Sequence, residues 1–219
     1  MNIADICELL ETSYGKPVCS PSYGPLDELI LTILSQHTAA VNYNRAFANL
    51  RERFGSLEAV RAADVQAIED SIRIGGLAHT KAIRIKRLLE EVRARFGVLS
   101  LDVLADMPDE EARSLLMDFD GVGIKTASCV LMFSLCRPVL PVDTHVHRIS
   151  IRLGLIEPSI NAEAAHHELG EIVPDELTYS FHVNLVTHGR RVCKARNPAC
   201  DVCPLLELCP SGKRFMFMS

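Results

Sequence analysis

Apolar side chains return at three- and four-residue steps along most of this chain. In "AIRIKRLLEEVRARFG", Ile85, Leu88, Leu89, Val92 and Phe96 fall on one face of a helix, and Gly97 follows as a natural stop. The stretches "LDELILTILSQHT", "NYNRAFANLRERFG", "EAAHHELGEIV" and "LTYSFHVNLVTHGRR" carry the same period. No pair of alternating runs suggests a hairpin of strands, and no repeat of the solenoid kind is present. The pattern predicts an all-α fold with short loops marked by Gly and Pro.

The pattern breaks once in an informative way. In "CRPVLPVDTH", Pro138 and Pro141 interrupt an apolar stretch and cannot continue a helix, while Asp143 and Thr144 suit the start of the next one. This places a helical domain at residues 24–137. Residues 1–23 and 138–219 are then expected to form a second lobe built from both chain ends.

Composition narrows the setting. Apolar residues make up 48% of the 219, enough for real cores. No run is long enough to span a bilayer, and the acidic "MNIADICELLETSYG" does not read as a secretory leader. A cytoplasmic address is the expectation, with reduced cysteines. The formal net charge of −5 argues mildly against a nucleic-acid partner, but "GRRVCKAR" gathers Arg190, Arg191, Lys194 and Arg196 into a locally positive stretch.

Cys193, Cys200, Cys203 and Cys209 follow the spacing C-x6-C-x2-C-x5-C. Four thiolates on one short loop can enclose a single centre, either Zn²⁺ or an iron–sulfur cluster. Structural zinc usually takes two closely spaced pairs. Only one exists here, and the wide outer spacing suits a larger cubane; four unrelated buried thiols are the bland reading. Cys7, Cys19, Cys129 and Cys136 show no ligand-like pattern and are expected to be plain thiols without function. The histidines build no competing site: His145 and His147 point to opposite sides of a helix, and the adjacent His166 and His167 are expected in solvent.

"DEEARSLLMD" reads as a helix over 109–118, "DGVG" as a tight turn, and "IKTASCVLMFSL" as a second helix. Gly121 and Gly123 permit positive φ and close approach, and the first N–H groups of the second helix can hold a DNA phosphate without reading sequence. An ordinary helix–turn–helix connection is the plainer alternative. Lys125 sits in the first turn of that helix, where a cation is locally unfavourable and its amine is expected to be a better nucleophile. Asp143 opens a later helix, either as a simple cap or as a carboxylate facing Lys125 across a cleft.

Together, "GVGIKTA", "VDTHVHRI", "HGRRVC" and the four-cysteine loop resemble the endonuclease III family, from about residue 26 to 209. The resemblance implies a six-helix helix–hairpin–helix domain, a lobe around a 4Fe–4S cluster, and a DNA-binding cleft between them. It implies a bifunctional DNA glycosylase/AP lyase of base excision repair that removes oxidised pyrimidines and cuts double-stranded DNA by β-elimination. Lys125 would be the nucleophile, Asp143 its acidic partner, and Cys193, Cys200, Cys203 and Cys209 the cluster ligands. Lys194 and Arg196 in "KARNPA" would meet the DNA backbone, and His145 would support the DNA-facing loop.

"LSQHT" matches the stretch whose glutamine fills the space of the extruded base, and "GGLAHTKA" the loop carrying a wedge residue. Gln36 and Leu77 are therefore candidates; a helix-end polar residue and a core leucine are the structural alternatives. Adenine-mismatch relatives carry a glutamate where this chain has Thr32. A monomer is the usual expectation for the family, with a nucleoid-associated location. The hairpin departs from the family's "LPGVG": Asp120 places a negative charge where phosphate approaches, costing up to roughly a few kcal/mol before screening. Asn197 stands where lysine is common. These departures leave open a DNA-binding paralogue with a structural cluster and little catalysis.

Overall fold

The structure, a computed structural model, describes residues 2–217. Its helices, in chain order, are α1 (Ile3–Tyr14), α2 (Pro25–Ser35), α3 (Ala40–Phe54), α4 (Leu57–Ala62), α5 (Val65–Ile72), α6 (Ala78–Phe96), α7 (Asp109–Met117), α8 (Ile124–Leu135), α9 (Thr144–Leu153), α10 (Ala164–Ile172), α11 (Asp175–Arg191) and α12 (Pro210–Phe217). Short 3-10 turns join some of them, and no strand is assigned among the described residues. The chain divides into two units. One is Pro21–Leu135, and the other combines Met1–Ser20 with Cys136–Ser219.

In the Pro21–Leu135 unit, α2 begins with proline at its first position and carries Asp27 and Glu28 in its first turn, where the helix dipole favours anions. Its inner face buries Leu29, Ile30, Ile33 and Leu34 completely or almost so. That face packs on α8, where every residue from Thr126 to Met132 is buried. Each such leucine or isoleucine contributes about 1.5–3 kcal/mol of transfer free energy. The helix stops follow local chemistry. Ser56 and Asp64 cap α4 and α5 by accepting from Ala59 and Ala67 N–H, and Gly97 ends α6 in the left-handed region at φ 74°.

In the other unit, the two chain ends close on each other. Helix α1 packs against α11, and α9 packs against both α11 and α12. Ser180 Oγ donates to Glu11, Asn184 Nδ2 donates to Gly15 O at 3.1 Å, and Tyr14 Oη lies 2.9 Å from His188 Nδ1.

Two expectations are corrected here. Cys19 and Cys136 are bonded to each other, with Cα atoms 5.8 Å apart, whereas Cys7 and Cys129 are buried and outside that bond. Spacing along the chain could not show this, because the pair meets only once the two stretches of this unit come together. His166 is buried, not solvated: its Nε2 accepts from Val142 N–H at 3.0 Å and its Nδ1 lies 2.8 Å from Ala162 O. It thereby satisfies backbone next to Pro141, which has no N–H to contribute.

Candidate nucleic-acid interface and metal centre

The hairpin lies between α7 and α8. Gly121 takes φ 77° and both Gly121 and Gly123 are exposed, leaving the start of α8 open. Lys125 is the second residue of α8 and is half-buried. One helix away, the Glu28 carboxyl is pushed up to about 7, chiefly by burial; the Thr32 hydroxyl and the Lys125 charge act in the opposite direction. Thr32 is itself buried and donates to Glu28 Oε1 at 3.4 Å.

Asp120 is exposed, and Arg87 of α6 stands 3.9 Å from it. One turn earlier on α6, Arg84 lies so close to Gly121 that a Cβ there would meet its Nε at 3.2 Å. The negative charge noted in the sequence thus has Arg87 beside it, and Arg84 lies against the next residue, Gly121. Since the Arg87–Asp120 contact is solvent-exposed, it adds little to stability but lowers the net repulsion of an approaching anion.

Gln36 caps the C-terminal end of α2 and donates its backbone N–H to Ile33 O, so the helix-end role holds; its Oε1 also accepts from Arg84 Nη1 at 3.1 Å. The next residue, His37, is in the left-handed region at φ 55°. Leu77 is not a core residue: it is 61% exposed and left-handed at φ 49°, directly before α6. Holding a leucine there costs of order 1 kcal/mol or more, a strain that persists only where the surroundings fix it.

Lys81 does that fixing. Its side chain is buried and Nζ donates to Leu34 O at 2.7 Å, Thr38 Oγ1 at 2.7 Å and Gly75 O at 2.9 Å. Thr38 Oγ1 also donates to Gly75 O. The turn after α2 and the loop before α6 are tied through one ammonium group.

In the other unit, Asp143 is the N-cap of α9 and accepts from His145 and Val146 N–H, both at 2.8 Å. His145 fits closely over Gly189 of α11, where a Cβ would lie 2.5 Å from Nδ1. Arg148 Nη2 is 3.1 Å from that Nδ1; because guanidinium only donates, Nδ1 must accept and the ring proton sits on Nε2. Burial, more than the nearby charges, pulls the His145 pKa down and keeps the ring neutral.

Cys193, Cys200, Cys203 and Cys209 line one cavity, together with Ile149, Leu153, Leu205 and Phe215. Among the described residues no three His, Cys, Asp or Glu side chains converge closely enough to hold a single ion. Four sulfurs around a cavity fit a cubane better than a tetrahedral zinc. Donors are already aimed at them. Arg152 Nη1 is 3.2 Å from Cys193 Sγ, Gly212 N–H donates to Cys209 Sγ at 3.2 Å, and His188 Nε2 is 3.6 Å from Cys203 Sγ. Such N–H···S contacts offset thiolate charge and tune a bound cluster. Burial drops His188 to about 4, so this ring is neutral.

Arg152 also donates to Lys194 O at 2.7 Å and Ala195 O at 3.0 Å, and Arg148 to Cys193 O at 2.8 Å. These anchors leave Lys194 and Arg196 exposed. Asn197 is left-handed at φ 49°, a conformation that asparagine tolerates far better than lysine, which accounts for its presence in this tight loop. Sequence reasoning missed Lys81, Arg84, Arg148, Arg152 and His188.

Known proteins place this arrangement. Residues 30–175 match the HhH-GPD superfamily base excision DNA repair protein, and residues 193–209 match the iron-sulfur binding domain of endonuclease III. The chain belongs to the HhH-GPD superfamily of base excision DNA repair proteins.

Within it, the chain is a member of the endonuclease III family. It is 33% identical to endonuclease III of Thermotoga maritima, over 87% of this chain and 84% of that one. An endonuclease III–DNA complex superposes with a TM-score of 0.84 at 29% identity, covering 98% of this chain and 97% of that one. It is also 39% identical to an Arabidopsis thaliana protein assigned as a DNA glycosylase, over 83% of this chain and 65% of that longer one.

The chain is therefore a base excision repair DNA glycosylase whose partner is DNA, and lyase activity at abasic sites goes with the family. It holds a 4Fe–4S cluster, as the match of residues 193–209 to the iron-sulfur binding domain indicates. No described helix is long and apolar enough to cross a membrane.

Proposed function

We propose that the chain is a bifunctional enzyme acting on oxidised pyrimidines in double-stranded DNA, with Lys125 as nucleophile and Asp143 as its acidic partner. The observation that carries this reading is the placement of Lys125: an amine in the opening turn of α8, half-exposed, directly after an open glycine hairpin. A DNA phosphate on the α8 N-terminus would bring the neighbouring sugar to that amine.

The neutral amine attacks C1′ of the damaged nucleotide, the C1′–N bond breaks, and the base departs with a proton. Loss of the ring oxygen from C1′ gives a Schiff base between Lys125 and the opened sugar. Its 2′ proton is then acidic; removing that proton expels the 3′ phosphate and cuts the strand. Asp143, whose Oδ1 accepts from two backbone N–H groups, would stabilise the developing positive charge.

Gln36 fills the vacated stack and Leu77 wedges beside it, the extrusion costing a few kcal/mol and favouring weakened pairs. The cluster acts as a rigid cross-link of the 193–209 loop; Arg148 and Arg152 hold that loop from α9 so that Lys194 and Arg196 reach backbone phosphates. A monomer working on chromosomal DNA in the cytoplasm is the setting this reading implies.

A binding protein with little catalysis is the second reading, motivated by Asp120; Arg87 beside it and Arg84 against Gly121 weaken that motive. Borohydride trapping on a duplex with an abasic site separates the two. The first reading expects a covalent protein–DNA adduct that Lys125→Ala abolishes. A cluster-loaded protein that binds the duplex without forming any adduct would establish the second.

A further inference from the structure

Arg84 makes two contacts that no catalytic role explains. Its Nη1 donates to Gln36 Oε1 at 3.1 Å, and its Nε side occupies the space a Cβ on Gly121 would need, 3.2 Å from where that atom would sit. The guanidinium is therefore hydrogen-bonded at Nη1 to the turn after α2 and lies on its Nε side beside the hairpin glycine. It has five donors and no acceptor, so Gln36 must turn its amide oxygen toward it. What remains free to face DNA is the NH2 end of the amide, a donor only.

We propose that Arg84 is the positioning residue that sets the opposite-base preference, by holding Gln36 with its amide NH2 presented to the estranged base. This rests on the reading of Gln36 as the residue that enters the vacated stack. An amide free to rotate would accept or donate and treat all four bases alike. One locked as a donor favours guanine O6 and thymine O4 at the major-groove end of the pairing edge, where adenine and cytosine carry amino groups that cannot accept. Gly121 belongs to the same device: any side chain at 121 would push Arg84 away from Gln36.

The test uses the cluster-loaded enzyme and duplexes with an abasic site opposite each of the four bases, measuring single-turnover rates of borohydride-trapped adduct. The wild type is expected to react about tenfold faster opposite guanine or thymine, the equivalent of one well-placed hydrogen bond. Arg84→Met should narrow the spread to about twofold, Arg84→Lys should restore part of it, and Arg84→Met should change nothing further in a Gln36→Ala background.

Arg84→Met slowing all four duplexes by one common factor would overturn the proposal and leave Arg84 as a phosphate contact. A wild type that prefers adenine or cytosine, or shows no preference, would overturn it too. No adduct from any duplex would fail the nucleophile assignment as well, so failure of this inference alone is recognised by adducts that form with an unchanged ratio.

Discussion

Cys19 and Cys136, 117 positions apart, are joined at the two points where the chain leaves and re-enters the unit built from both of its ends. The bond closes the stretch that forms the Pro21–Leu135 unit into a covalent loop. In the chain-entropy treatment a loop of this length is worth about 5 kcal/mol, and less where the reduced chain keeps structure. Cys136 is exposed, so reductant can reach it. Dithiothreitol should lower the urea midpoint of the purified protein to that of Cys136→Ser and leave the variant unmoved. Equal midpoints for the wild type with and without reductant would show that the bond adds no stability.

Glu28 makes stability depend on pH in a direction opposite to most carboxylates. Burial raises it from 4.5 to about 7, so the folded state prefers the protonated acid. Between those pH values the folded chain binds more protons than the unfolded one, and stability falls as pH rises. The interval from 4.5 to about 7 corresponds to about 3 kcal/mol at most. Glu28→Gln should match the wild type near pH 4.5 and exceed its stability at pH 8, measured by chemical denaturation at both. The same substitution removes an anion from the surroundings of Lys125. The pH profile of borohydride trapping should accordingly move to lower pH; a profile that stays in place would show that Glu28 does not bear on the amine.

Lys81→Met would strip a donor from Leu34 O, Thr38 Oγ1 and Gly75 O at once, leaving Gly75 O its bond from Thr38 Oγ1. Each buried acceptor left without a partner costs about 1–3 kcal/mol. Part of that will be recovered by water or local shifts, so a loss of about 2–4 kcal/mol is expected. Because the same ammonium fixes the loop that carries Leu77, proteolytic cleavage near residues 73–77 should accelerate under native conditions. A variant of unchanged stability would mean that the loops hold each other without the lysine.

What the sequence could convey tracks the range of each interaction. Helices came from local periodicity, and the cysteine loop and the glycine hairpin are each contiguous, so their chemistry could be read before any fold was known. Lys81 was within reach of the same reasoning: it falls in step with Ile85, Leu88 and Val92, and a charge on an apolar stripe calls for buried partners. Arg148 and Arg152, one turn apart on α9, likewise share a face. Their partners, however, lie more than forty residues away in the cluster loop. The Cys19–Cys136 pairing and the Arg84–Gln36 contact depend wholly on how distant segments come together. No local pattern encodes either.

Gly189 offers the most direct probe of how the cluster loop is held. It is a helical glycine with ordinary backbone angles, so its need for a bare Cα is purely steric: a methyl group would lie 2.5 Å from His145 Nδ1 and 2.9 Å from its Cβ. His145 is held in turn by Arg148, which donates to Cys193 O at 2.8 Å. Gly189→Ala should therefore push His145 off α11 and loosen Arg148 from Cys193 O. Overpacking of this kind costs about 1–3 kcal/mol. The chain should still fold, since α11 itself gains helix propensity from alanine. The expected result is a helical protein of lower thermal midpoint with reduced absorbance near ~400 nm per mole of chain, the signature of a thiolate-bound iron–sulfur centre. Shrinking the displaced ring with His145→Ala in the same chain should restore much of that absorbance. Full cluster content in Gly189→Ala alone would show that Arg152 and the cysteines hold the loop without help from this contact.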